Sequence, residues 1–132
     1  MALDVHLVTP EREVWSGEAT MVVARGVDGD VGILSGHAPM LVSLAIGPLF
    51  IHQESGVIGV AVDGGFLHVT GTMTDSRVDV LAEHAELRAE IDMDAARALR
   101  VEAERRMADR ATDAARADLE RAITRIRIGE GS

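Results

Sequence analysis

The chain has 132 residues, 47% of them hydrophobic and 27% charged, with a formal net charge of −9 and no cysteine. That length accommodates one ordinary domain, or one small domain with an appendage, and nothing larger. Without cysteine there are no disulfides, thiolate zinc sites or cysteine nucleophiles, and the acidic balance argues against nucleic acid or an anionic membrane as the main partner, since either demands a basic surface.

The opening run, MALDVHLVTPERE, carries Asp4 and lacks both a basic n-region and a long apolar h-region, so it reads as a strand and not as a signal peptide. Seven further runs follow: EVWSGEATMVVARG, DGDVGILSG, MLVSLAIGP, LFIHQESG, VIGVAVDGG, FLHVTG and RVDVLAEHAE. Each is β-branched or alternating and closes on a turn signal, with a spacing of about 8–12 residues that suits an antiparallel sandwich or barrel better than βαβ units. Asp63, Gly64 and Gly65 read as a type I′ hairpin turn between two of these strands. Trp15, Phe50 and Phe66 are the only aromatic residues, so the core must be built from Val, Ile, Leu and Met. The most apolar stretch, Ala38 to Ile51, falls short of the roughly 20 residues that span a bilayer and holds Pro39, Gly47 and Pro48. No membrane insertion is expected, and the chain reads as a soluble protein of the cytoplasmic side.

From Thr72 to Ile128 there is neither glycine nor proline, whereas eleven of the thirteen glycines lie at or before Gly71. Charge changes nearby. Residues 1–87 hold three arginines against twelve acids; residues 88–132 hold ten of each, and there is no lysine anywhere. Two units follow, a β-sandwich over 1–87 and a helical region over 88–132. In the latter, Ala96, Leu99, Ala103 and Met107 recur at helical spacing, as do Leu119, Ala122, Ile123 and Ile126. The two stripes predict two packed helices, joined at Ala108–Asp113 where Asp109 or Thr112 can serve as N-cap. An antiparallel hairpin fits best, although no glycine or proline forbids one long helix. Because the stripes are rich in alanine, their burial stabilises the pair by only about a few kcal/mol at roughly 25 cal/mol per Å².

Residues suited to catalysis are scattered. His6, His52, His68 and His84 stand singly in strand-like runs, with no HxH or HExxH spacing to suggest a metal. Ser16, Ser35 and Ser43 lack a recognisable triad, and no GxSxG, GxxxxGK[ST] or GxGxxG occurs. His37, in the turn of GDVGILSGHAPM, has no nucleophile or ligand companion in sequence. No active site and no required cofactor are expected.

The two segments GDVGILSGHAPM and VDGGFLHV, in a strand-rich half that precedes Ala/Arg/Glu-rich helices, closely resemble the epsilon subunit of bacterial F-type ATP synthases, where they usually read GxxGILPGHAPLL and VxGGFxEV. The resemblance spans the whole chain. Ser35 departs from the family's usual proline, and His68 stands where an acid is common. What the resemblance implies is a noncatalytic rotor subunit whose sandwich binds gamma and sits on the c-subunit ring at the cytoplasmic face of the membrane. It couples proton-driven rotation to ATP synthesis, while its C-terminal helices regulate hydrolysis by moving between a hairpin and an extended form.

The resemblance also assigns residues. Asp30, in the GxxG turn, and His37, of GHAP, are placed near the end of the sandwich that meets the c ring, with closure of its own turn as the plainer role for His37. Some family members hold a regulatory ATP with the pattern [IL]DxxRA and arginines of the last helix. Two registers compete here: Ile91 and Asp92 put Ala95 where the arginine belongs, whereas Met93, Asp94, Arg97 and Ala98 keep the spacing but lose the aliphatic residue. Arg121 and Arg125 would complete either version, unless they form ordinary surface ion pairs. In the extended form, Arg105, Arg106, Arg110, Arg121, Arg125 and Arg127 would approach acidic segments of the catalytic beta and alpha subunits. The other readings open at this point are an unrelated β-sandwich adaptor with a helical arm and a small metal- or nucleotide-dependent enzyme.

Overall fold

The computed structural model describes residues 2–131. Eight strands come first: β1 (Leu3–Val8), β2 (Glu13–Ala19), β3 (Met21–Gly26), β4 (Gly29–Leu34), β5 (Met40–Gln53), β6 (Gly56–Gly71), β7 (Ser76–Ala82) and β8 (Ala85–Leu87). A 3-10 turn at Arg88–Glu90 leads into α1 (Met93–Asp109) and α2 (Asp113–Gly129).

The strands form one hydrogen-bonded path, β2-β1-β7-β6-β5-β3-β4, with β8 paired to β6. It becomes two layers because β5 and β6 each serve both. Met40–Leu44 pair with Gly65–Val69, while Ile46–Gln53 pair with Gly56–Asp63. The later half of β6 continues to β7, and its earlier half to β8. Period-2 alternation then turns one side of each layer inward. Leu3, Val5 and Leu7 of β1 are fully buried, together with Val22, Ile33, Leu49, Ile51, Leu67, Val69, Val78 and Val80. As its composition requires, the core is aliphatic.

Three details differ from the sequence reading. Asp63, Gly64 and Gly65 do not form a hairpin: β6 runs through them and bends as it changes layer. Gly65 has φ +128°, and a Cβ there would collide with the Leu81 carbonyl oxygen, so glycine is needed for the bend and not for a reversal. Likewise MLVSLAIGP and LFIHQESG are one strand. Pro48 stands inside it where β3 skips residues 45–48, passing from Ala24 opposite Leu49 to Gly26 opposite Leu44, so on the β3 side no ladder partner faces the missing amide. Finally, β1 and β7 pair in parallel, Leu3 opposite Ser76 and Val8 opposite Leu81, within an otherwise antiparallel sandwich.

The two helices form a hairpin. Asp92 caps α1 by accepting the Ala95 amide at 3.0 Å, and Thr112 caps α2 by accepting the Ala115 amide at 3.1 Å. Between them Arg110 adopts extended φ/ψ of −154° and 114°. The seam is made by Ala96 and Ala103 of α1 with Ala115 and Ala122 of α2, all buried, and the small side chains let the backbones approach closely. Ile123, placed in the stripe by spacing, is 44% exposed, whereas Thr124, Ile126 and Ile128 are buried because α2 has a second neighbour, the outer side of β5 and β6.

Candidate functional site

The joint between sandwich and helices is organised by Asp63. Its place in the β6 bend leaves the carboxylate 11% exposed and directed at α2. There Arg125 Nη2 donates to Asp63 Oδ2 at 2.8 Å, and Arg125 Nε donates to Glu86 Oε1 at 2.5 Å. Glu86 is delivered by β8, which sets it opposite Ala61 on the neighbouring strand. Arg121 adds a longer contact, its Nε 3.6 Å from Asp63 Oδ2, and donates to Asp118 Oδ1 at 3.0 Å. Asp118 then accepts from Arg106 Nη2 of α1 at 2.5 Å. One ionic chain thus joins α1, α2, β6 and β8.

Burial of Arg125 disfavours its charge, yet the hydrogen bonds it donates to Asp63 and Glu86 outweigh that cost and raise its pKa above the ordinary arginine value. Among the described residues, Asp63 Oδ1 is buried without a hydrogen-bond partner. A second tether lies at the 3-10 turn: Arg12 Nη2 stands 2.8 Å from Glu90 Oε2, while the Leu87 amide donates to Glu90 Oε1 at 2.9 Å. The Arg12 contact and then the Leu87 amide hold the Glu90 carboxyl below its usual range. Arg88 Nε donates to the Gly129 carbonyl at 3.2 Å and ties the end of α2 to the same turn.

The residues of the nucleotide pattern are not gathered into one cluster. Asp92 is occupied as the α1 cap, Ile91 ends the 3-10 turn, and Met93 packs against Gly129. Asp94 and Arg97 form a 4.0 Å pair on the exposed side of α1. The arginines assigned to catalytic-subunit contact take several positions. Arg105 pairs with Glu102 at 3.3 Å, Arg106 belongs to the ionic chain, and Arg127 lies 5.3 Å from the Phe50 ring centroid. Arg110 stands exposed in the link between helices.

Asp30 and His37 mark opposite ends of β4. Asp30, second in the strand, pairs across to Arg25, with Oδ1 and Nε 3.3 Å apart. About 13 Å of extended chain separates it from Leu34, at roughly 3.3 Å per residue, and His37 follows in the loop beyond. His37 is exposed, its amide donates to the Leu34 carbonyl at 3.1 Å, and its Nδ1 lies 2.8 Å from the Ala38 oxygen. The outer side of the layer made by β7 and the late part of β6 carries an apolar pair that alternation alone did not single out. Phe66 and Leu81 face each other across the strands, 49% and 50% exposed, beside Val8 and Pro10. Among the described residues no group of three or more His, Asp or Glu could hold a metal ion, and no helix is long and apolar enough to cross a membrane.

Residues 2–88 match the family model described as the ATP synthase delta/epsilon chain beta-sandwich domain. The chain belongs to this family. A relative named ATP synthase epsilon chain from Thermobifida fusca is 50% identical over 106 residues, covering 78% of this chain and 75% of the relative. Another of that name, from Desulforamulus reducens, is 41% identical over 130 residues and covers 96% of both. Among solved structures, a chain of the Euglena gracilis mitochondrial ATP synthase, OSCP/F1/c-ring in rotational state 1, superposes with a TM-score of 0.75 at 25% identity, covering 98% of this chain and 80% of that one. A chain from the Tetrahymena thermophila mitochondrial ATP synthase shares the fold, with a TM-score of 0.52 at 18% identity. The sandwich and helical pair are thus those of an ATP synthase epsilon chain.

Proposed function

We propose that the sandwich of this epsilon-family chain binds gamma and rests on the c-subunit ring at the cytoplasmic face of the membrane, coupling proton-driven rotation to ATP synthesis. The helical pair regulates ATP hydrolysis by leaving the sandwich. The observation that carries the regulatory part is the narrowness of the joint: among the described residues α2 makes the main contacts with the layers, through Ile126, Ile128, Arg127 and the Arg121 and Arg125 ion pairs, and the helices meet each other along alanines. Two packings of such an arm differ by only a few kcal/mol, which a change in rotor state can supply. The exposed Phe66–Leu81 pair on an acid-rich sandwich suits gamma, and Asp30 and His37 are the ring-facing candidates. Once extended, the arm offers Arg105, Arg106, Arg110 and Arg127 to acidic segments of beta and alpha.

Deletion of residues 90–132 tests this. The reconstituted complex should still assemble, retain gamma in a pull-down and hydrolyse ATP faster than with the full chain. An unchanged rate removes regulation from the assignment, and failure to retain gamma removes the coupling role.

A further inference from the structure

Arg106, Arg121 and Arg125, the arginines of the ionic chain at the joint, could each grip a phosphate, and each already holds a carboxylate of this chain. Asp63, Glu86 and Asp118 match them one for one. A bound nucleotide would have to displace these acids or bring several more negative charges against them. The cavity at the end of α2, lined by Phe50, Val57, Gly59, Arg88, Ile128 and Gly131, includes none of these three arginines and, near 130 Å³, is smaller than the about 300–1,000 Å³ of small-molecule pockets. Arg97 and Asp92, the other members of the pattern, are turned to an exposed pair and to a helix cap. The residues present do not fit ATP.

We propose that Asp63 and Glu86 act as built-in anions that latch α2 onto the sandwich, so that docking of the helical pair depends on this carboxylate–arginine contact and not on a bound nucleotide. The strands make the latch rigid on one side. Asp63 is fixed by the β6 bend, its amide bonded to the His84 carbonyl at 2.9 Å, and Glu86 stands on the strand paired with β6. On the other side, Arg125 is further oriented by donating Nη1 to the Arg121 carbonyl at 3.2 Å. This deepens the regulatory reading and rests on it for its consequence in the enzyme, but its test is made on the isolated full chain.

The test is amide hydrogen exchange with and without millimolar MgATP, accompanied by calorimetry. In the unaltered chain, α2 protection should not change and no heat of binding should appear. Asp63→Asn, isosteric and still able to hold the bend, should speed exchange of α2 amides about tenfold or more while β7 amides keep their protection. Arg125→Gln, which alters no strand, should do the same. ATP-induced protection or heat in the unaltered chain overturns the proposal, as does α2 exchange unchanged in both variants. The deletion experiment on the whole complex reads regulation separately, so the two failures are distinguishable.

Discussion

Ile128 of α2 reaches into a notch left by Gly59 of β6, its Cδ1 3.1 Å from the point where a Cβ on that glycine would stand. The notch lies on the outer side of the sandwich, so filling it opposes docking of the helix without entering the core. Gly59→Val should cost the docked state about 1–3 kcal/mol by overpacking. Hydrogen exchange in α2 should accelerate, while the sandwich, followed by protection of β1 and β7, remains as stable as before.

The contact between Arg12 and Glu90 has a definite pH dependence. Its Glu90 carboxyl is held below the ordinary value in the folded chain, so the unfolded chain binds that proton more readily. The contact therefore stabilises the fold fully above the ordinary carboxylate pKa and is lost as pH falls through the depressed one. Both side chains are well exposed, which keeps the effect small. A carboxyl NMR titration should show Glu90 titrating at lower pH than a free glutamate, and Arg12→Ala should move it upward.

Ala122 is fully buried in the seam between the helices. Ala122→Leu should force α1 and α2 apart at a cost of about 1–3 kcal/mol, leaving helix content by circular dichroism nearly unchanged because leucine is also a good helix former. A distance measured between labels on the two helices should lengthen; an unaltered distance would show that the seam can absorb the larger side chain.

Thr112 caps the start of α2, its Oγ1 accepting from the Ala115 amide at 3.1 Å. Thr112→Ala should lower helix stability by about 1 kcal/mol. The thermal midpoint of the helical signal should fall, with Thr112→Ser restoring most of it.

How much of this was legible depended on whether the cause was local. The Thr112 cap, the alanine stripe and the change from strands to helices after Leu87 all follow from neighbours within a turn or two of chain. The Asp63-Gly64-Gly65 bend was misread because its glycines carry the same φ signal as a hairpin, and only the Leu81 carbonyl, brought close by β7, distinguishes them. The family resemblance points to Arg125, with Arg121, as an anion-gripping residue, but its partners lie 62 and 39 residues away, beyond any local pattern. Ile123 was placed in the seam by helical period, yet α2 has two neighbours, and the second one shifted its buried side.

The parallel pairing of β1 with β7 has a consequence for synthesis on the ribosome. The first strand finds its β2 partner within a few residues, yet its other edge waits until residue 82 has been made. During that interval an aliphatic edge stays open to wrong pairing, so the nascent chain is most vulnerable before the sandwich closes. The arm emerges after the sandwich, onto a surface already complete.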